Sequence, residues 1–118
     1  MQREYLESID LPPEAADDDD FIYYHDVPAE VVEEANRRPE ADQSWTPMTQ
    51  PWPLSRWPDV PTRVLAGRDD RFLPAACQLR LARERLGVEG DEIDGGHMVA
   101  LSRPRELAER LEDYRQGR

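Results

Sequence analysis

Cysteine, lysine and long apolar runs are scarce or absent in this 118-residue sequence. The single cysteine, Cys77, excludes an intrachain disulfide, and it lacks the neighbouring cysteines and histidines that a zinc site needs. No apolar run approaches the ~20 residues that span a bilayer, and the start of the sequence has no hydrophobic signal region. We therefore expect a soluble, cytoplasmic protein that holds no metal or cofactor.

Apolar residues are also few, and the charge is unevenly placed. Hydrophobic residues make up 38% of the chain and charged residues 35%, against roughly 45–50% and about 25% in typical domains. We expect too little apolar surface for a self-sufficient core. The net charge of −11 comes from residues 1–60, which hold 4 Arg and 15 Asp or Glu, whereas residues 61–118 hold 11 of each. This excess of negative charge excludes nucleic acid and anionic membranes as partners.

The acidic first segment ends in four consecutive aspartates at residues 17–20. Mutual repulsion predicts a solvated loop there. A calcium site is the alternative, but the run lacks the alternating ligands and central glycine of a calcium loop. Further on, Asp26 is placed to cap a helix that has Pro28 in its first turn and ends near Arg38.

Residues 39–61 contain six prolines and the three tryptophans Trp45, Trp52 and Trp57. Proline at this density excludes helix interiors and central strands, so we predict an extended connector. Its indoles need an apolar surface to cover, so we expect them to act as packing anchors rather than as the walls of a pocket.

The second half of the sequence alternates strand and helix. The predicted elements are a strand over residues 62–66 that ends at Gly67, a helix over 74–86 closed by Gly87, a weak strand over 89–94, and a last helix capped by Ser102. Leu107, Leu111 and Tyr114 form the apolar stripe of that last helix. This order predicts an α/β arrangement with a parallel sheet, and two strands alone leave open sheet edges.

Polar clusters follow both predicted strands. Asp70 lies three residues after Gly67, and His97 follows a pair of glycines. Because sites form at the carboxyl ends of parallel strands, we expect these two side chains to meet. A carboxylate there accepts the Nδ1 proton of the imidazole and leaves Nε2 free as a general base.

Two stretches of this half resemble α/β-hydrolases. Residues 60–74, Val-Pro-Thr-Arg-Val-Leu-Ala-Gly-Arg-Asp-Asp-Arg-Phe-Leu-Pro, are similar to the penultimate strand and acid loop of that family. Residues 95–107, with Gly-Gly-His and then Ser-x-Pro-x-Glu-Leu, resemble its histidine loop and last helix, in the family's Asp-then-His order. The resemblance covers residues 60–115, and residues 21–58 look more loosely like the end of a cap region.

The resemblance implies a triad acid at Asp70, with Asp69 as the weaker candidate, and a triad histidine at His97. The tail after His97 is similar to the branch of plant-type methylesterases and hydroxynitrile lyases, which implies small carboxylic esters as substrates. The family's nucleophile lies in Gly-x-Ser-x-Gly, whereas this sequence has serines only at 8, 44, 55 and 102, none in that setting. The other histidine, His25, is expected to face solvent rather than to act in catalysis.

We therefore predict a C-terminal fragment of an α/β-hydrolase, with its last two parallel strands and their helices in residues 60–118. Residues 1–59 would be an acidic segment, a cap-like helix and a proline- and tryptophan-rich connector. Alone it would be inactive. One alternative is a binding or structural module, or a half-enzyme, that joins a partner chain or a second copy through the open sheet edge. A third hypothesis is an unrelated small acidic α/β protein.

Overall fold

The computed structural model describes residues 2–118, so Met1 lies outside it. The helices are α1 (Gln2–Ser8), α2 (Asp19–Tyr23), α3 (Ala29–Asn36), α4 (Thr46–Thr49), α5 (Ala75–Leu81), α6 (Val99–Ser102) and α7 (Pro104–Arg115). The strands are β1 (Leu65–Gly67) and β2 (Asp91–Ile93). A 3₁₀ turn, Pro13–Asp17, precedes α2, and a π-helical turn, Ala82–Leu86, follows α5. Within residues 2–118, no helix has both the length and the apolar character needed to cross a membrane.

The two strands pair in parallel, as the sequence predicts. Leu65 lies opposite Asp91, and Gly67 lies opposite Ile93. The Asp91 amide donates to the Val64 carbonyl at 2.9 Å, and this is one of the backbone bonds that hold Leu65 opposite Asp91. Both strands have three residues and are shorter than the predicted 62–66 and 89–94. The described chain is therefore a small α/β structure in which only these two strands form a sheet.

Helix α5 packs on β1 through small side chains. Ala75 and Ala82 are buried, as is Ala66 on the strand, and this lets the helix backbone approach the sheet closely. Gly87 ends the π-helical turn in a left-handed conformation, with φ of 67°. The predicted helix over 74–86 and its glycine stop are confirmed, and the helix carries the chain from one strand to its parallel neighbour.

The N-terminal segment is more ordered than its charge suggests, and the prediction of a loop at residues 17–20 is wrong. The Asp18 side chain accepts the amide of Phe21 at 3.1 Å and so caps α2. Asp19 and Asp20 then occupy the first turn of α2, where the positive end of the helix dipole stabilises carboxylates. Helix α1, which sequence patterns did not reveal, packs against the 3₁₀ turn Pro13–Asp17, with Leu6 fully buried.

Two predicted helix caps are also corrected. Pro28, not Asp26, precedes the first residue of α3, and it provides no side-chain cap. Ser102 is the last residue of α6, and Arg103 takes the cap position of α7. The reason for the first error is that Asp26 hydrogen-bonds with a distant loop, whereas the second arises because a short extra helix occupies residues 99–102.

The connector over residues 39–61 is largely without regular structure, apart from the single turn of α4. Two of its three tryptophans are mostly exposed and do not act as packing anchors. Trp45 and Trp52 are 78% and 65% exposed. The rings of Trp52 and Trp57 stack on each other with centroids 6.3 Å apart. Trp57 is only 38% exposed, and it lines a cleft with Trp52, Leu54 and Leu86. The expectation of packing anchors is therefore corrected for Trp45 and Trp52.

The molecule is open for its mass. Its accessible surface is 9233 Å², whereas a folded monomer of 13.7 kDa exposes roughly 6600 Å². Its radius of gyration is 16.2 Å, against roughly 13.5 Å for a compact domain of this length. The buried apolar residues are few, as the composition predicts: Leu6, Ile22, Val27, Ala66, Ala75, Ala82 and Ile93.

Candidate functional site

The two strands end beside each other and deliver two loops to the same edge of the sheet. The amide of Asp69 in the first loop donates to the carbonyl of Gly95 in the second at 3.0 Å. Gly67 makes this approach feasible, since a Cβ at that position would lie 2.5 Å from the Gly96 carbonyl oxygen. A glycine at the end of β1 is thus required for the loops to meet.

Asp70 is buried, with 4% of its surface exposed, and its carboxylate is fixed by four hydrogen bonds. Oδ1 accepts the backbone amides of Phe72 and Leu73 at 2.8 and 2.9 Å. Oδ2 accepts the Gln78 side chain at 3.1 Å and lies 3.0 Å from Nδ1 of His97. Both backbone bonds arise from the tight turn after the strand, so the local sequence itself orients this carboxylate.

His97 directs Nδ1 toward Asp70 and leaves its other ring nitrogen free. The side chain is 27% exposed. Its ring packs edge-on against Tyr23 and Phe72, with centroids 5.4 and 5.2 Å away. None of the hydrogen bonds within residues 2–118 engages Nε2. In this geometry a neutral imidazole donates from Nδ1 and keeps an acceptor lone pair at Nε2.

Asp69, the weaker acid candidate, is not brought to His97. Its side chain is exposed, and Oδ2 accepts the Gly95 amide over a long 3.4 Å. The structure thus brings Asp70 and His97 together and leaves the carboxylate of Asp69 away from the imidazole.

The predicted solvent-facing residue His25 instead contacts the site. Its Nε2 lies 3.1 Å from the Asp69 carbonyl oxygen. The neighbouring Asp26 accepts the Gly96 amide through Oδ2 at 2.8 Å. The expectation that His25 simply faces solvent is therefore corrected, because the segment before α3 folds back over both loops.

Helix α1 holds the acid loop from the other side. The Tyr5 hydroxyl donates to the Asp70 carbonyl at 2.7 Å, and the Gln2 side chain donates to the Arg71 carbonyl. Burial raises the pKa of Tyr5, and the charges of Asp70 and Asp69 raise it further. The phenol is therefore neutral and remains a donor throughout the physiological range.

Arg71 links the acid loop to α2. Its guanidinium lies 4.2 Å from the ring centroid of Phe21 and donates to the Phe21 carbonyl at 3.1 Å. Burial lowers the pKa of Arg71, and the carboxylates of Asp26 and Asp69 oppose this shift. The cation offsets part of the negative charge that Asp26 and Asp69 bring to the site.

A cleft of about 490 Å³ opens beside this cluster. Its walls include Tyr5, His25, Asp26, Asp69 and Arg71, but neither Asp70 nor His97. The cleft is therefore next to the pair and does not lead to it. Across the part of the chain that the structure describes, no three His, Cys, Asp or Glu side chains form a group that could hold a metal ion.

Within residues 2–118, the hydrogen bonds of the four serines do not involve Asp70 or His97. Ser8 ends α1 and donates to the Tyr5 carbonyl at 2.7 Å. Ser44 accepts the Thr46 amide, and Ser55 lies in the connector. The Ser102 hydroxyl is buried without a hydrogen-bond partner in residues 2–118. None of the four hydrogen-bonds with His97.

Sequence reasoning found Asp70 and His97 because each follows its own strand, but it missed the residues that surround them. Tyr5 and Gln2 lie on a helix too short and too polar to show a periodic signal. The contact of Asp26 spans 70 residues, and no local pattern encodes it. One available signal was the Gly95-Gly96 pair, because adjacent glycines indicate a close approach by another part of the backbone.

A model of the alpha/beta hydrolase family matches residues 3–110. The match extends well to the N-terminal side of residues 60–115, on which the sequence resemblance rests. No curated protein and no solved structure matches the chain.

Proposed function

The chain belongs to the alpha/beta hydrolase family, and we propose that Asp70 and His97 are the acid and the histidine of a hydrolase triad. The observation that supports this most is the 3.0 Å contact between Nδ1 of His97 and a carboxylate oxygen of the buried Asp70. Two adjacent parallel strands present these side chains in the family's chain order.

In the proposed reaction, Nε2 of His97 takes the proton of an attacking hydroxyl and later donates it to the departing alcohol. Asp70 holds the ring in the tautomer with hydrogen on Nδ1 and stabilises the imidazolium that forms. The resemblance of the tail after His97 favours a small carboxylic ester as substrate. Ester cleavage through an acyl-enzyme is the reaction class we assign.

The hydroxyl nucleophile and the oxyanion-binding amides must come from outside residues 1–118, since no serine here lies in Gly-x-Ser-x-Gly. Each of these features contributes orders of magnitude in rate. We therefore propose that the chain has no hydrolase activity alone and corresponds to the C-terminal strands and helices of the family fold.

A second candidate function is binding to a partner chain. The chain would act either as a module without catalytic activity or as one half of a two-chain enzyme. The exposed tryptophans and the unpaired outer edge of β1 favour it. A strand from another chain, or from a second copy, could extend the sheet at Leu65 by backbone hydrogen bonds. The hypotheses differ in what they require of His97: a purely structural module does not need its imidazole, whereas a half-enzyme does.

Nitrogen NMR of the two ring nitrogens of His97 tests the proposed pair directly. We expect the neutral ring to carry its proton on Nδ1, and Asp70→Asn to shift the population toward the Nε2 tautomer. Asp17→Asn is the matched control, because Asp17 pairs with Arg3 on the surface. If His97 is mainly the Nε2 tautomer in the wild-type chain, or if Asp70→Asn leaves the tautomers unchanged, the proposed acid and histidine roles are wrong.

A further inference from the structure

Asp26 connects the segment before α3 to the loop that carries His97. Its Oδ2 accepts the amide of Gly96, the residue directly before His97, at 2.8 Å. The bond joins residues that are 70 positions apart in the chain. A hydrogen bond to a carboxylate is stronger than one between neutral groups, so this contact restrains the peptide that leads into His97.

The approach of this segment is so close that only glycine fits beneath it. A Cβ at Gly96 would lie 2.6 Å from Nε2 of His25 and 2.8 Å from Oδ1 of Asp26. Gly95 has a φ of 128°, a conformation that side chains disfavour. Gly96 is thus required by the close approach of residues 25 and 26, and Gly95 by its own backbone conformation.

The same segment also contacts the acid loop. Nε2 of His25 lies 3.1 Å from the Asp69 carbonyl oxygen. Residues 25 and 26 therefore bridge the loop of Asp70 and the loop of His97, in addition to the direct contact between those two side chains. Arg71 provides a cation whose charge interacts with both Asp26 and Asp69.

We propose that Asp26 is a positioning residue for His97: by holding the Gly96 amide, it fixes the imidazole in the orientation that meets Asp70. This inference rests on the proposed function of the pair. It assigns to the cap-like segment a role in aligning the triad histidine, and it explains why Asp26 does not cap α3.

The test compares Asp26→Ala with Asp26→Asn in the full chain, using the ring-nitrogen NMR of His97. The asparagine keeps an oxygen that accepts the Gly96 amide, whereas the alanine does not. We expect Asp26→Ala to reduce the excess of the Nδ1–H tautomer at least threefold relative to wild type. Asp26→Asn should retain most of the wild-type excess. Asp17→Ala, on the exposed Arg3 pair, should leave the tautomer ratio at its wild-type value.

A merely structural role would lower the stability of both loops without this selective effect on the ring. If Asp26→Ala folds and retains the wild-type tautomer ratio, the positioning role is overturned while the Asp70–His97 pair stands. If the wild-type chain itself lacks the Nδ1–H tautomer, the proposed pair fails first.

Should Asp26→Ala not fold, Asp26→Leu replaces it in the same measurement. Leucine has the branched shape of aspartate but no oxygen that accepts the Gly96 amide. We expect the same reduction in the Nδ1–H tautomer, and an unchanged ratio in a folded Asp26→Leu would equally overturn the inference.

Discussion

At the scale of single residues, the Asp70 carboxylate has a structural role that is separable from its proposed chemical one. Oδ1 satisfies the amides of Phe72 and Leu73 in the turn after β1. Amides left without an acceptor in a partly buried turn are costly, whereas a side chain that keeps one oxygen continues to satisfy them.

We therefore expect Asp70→Ala to lower the free energy of unfolding by about 1–3 kcal/mol. Asp70→Asn should cost less than half of that, because its amide oxygen still accepts both backbone bonds. Urea unfolding of the two variants measures the difference. Equal losses for alanine and asparagine would show that these two backbone bonds do not stabilise the turn.

The sequence was sufficient to predict the pair and insufficient to predict its surroundings. Asp70 and His97 are each defined by a local order of strand, glycine and polar residue, so their meeting follows from parallel pairing. The bonds from Tyr5 and Asp26 depend on how the N-terminal segment folds back, which no short-range pattern specifies. For the same reason the local cap signal at Asp26 failed: the carboxylate binds a distant amide instead.

At the scale of elements, the short strands depend on the helices that pack beside them. The Tyr114 hydroxyl on α7 donates to Asp91 Oδ2 at the start of β2, at 2.6 Å. The guanidinium of Arg63 lies 5.3 Å from the centroid of the same ring. The helix is thus tied to the beginning of both strand segments through one side chain.

The contribution of this bond should depend on pH. Burial raises the pKa of Tyr114 above its ordinary value of 10.0, and the bond to Asp91 raises it further. Because the folded pKa is raised, the stabilisation is complete below about pH 10 and is lost as pH rises through the folded value.

We expect Tyr114→Phe to cost about 1 kcal/mol near neutral pH, and the difference from wild type to shrink above pH 10. Urea unfolding at pH 8 and at pH 11 measures this. A gap that widens at the higher pH would contradict the assigned role of the neutral phenol.

Helix α1 is the element that the sequence patterns did not predict. Seven residues with one buried leucine give no amphipathic period, yet the helix contributes the largest fully buried side chain and two bonds to the acid loop. Deletion of a buried leucine side chain typically costs 2–5 kcal/mol.

We therefore predict that Leu6→Ala lowers the free energy of unfolding by about 2–3 kcal/mol and increases amide exchange in residues 69–73, where Tyr5 and Gln2 contact the loop. Hydrogen exchange followed by mass spectrometry resolves this segment. Protection that falls only within α1 would show that the helix does not support the acid loop.

At the scale of the whole molecule, the chain exposes a large apolar surface to solvent. Trp45, Trp52 and Met48 are each more than 60% exposed. Val64, Leu81 and Leu86 line an apolar groove of about 450 Å³ beside α5. The central strands of a complete family fold would pair with the open edge of β1, and this supports the proposal that the chain needs a complement.

Tryptophan fluorescence measures whether a complementary chain covers this surface. In the isolated chain we expect the fluorescence to be readily quenched by acrylamide. After mixing with a family hydrolase truncated before its acid strand, quenching should fall by about half or more if the indoles lie at the joint surface. Unchanged quenching in a mixture that forms a complex would place the tryptophans outside that surface.

Ester hydrolysis by the same mixture tests whether His97 is the histidine of the triad. The truncated hydrolase supplies Gly-x-Ser-x-Gly and its oxyanion loop, and this chain supplies Asp70 and His97; release of nitrophenol from p-nitrophenyl acetate is followed. We predict activity with the wild-type chain and with Asp17→Ala, and a loss of roughly 10³-fold or more with His97→Ala. Equal activity with wild type and His97→Ala would contradict this assignment, because the histidine would then have no part in the chemistry.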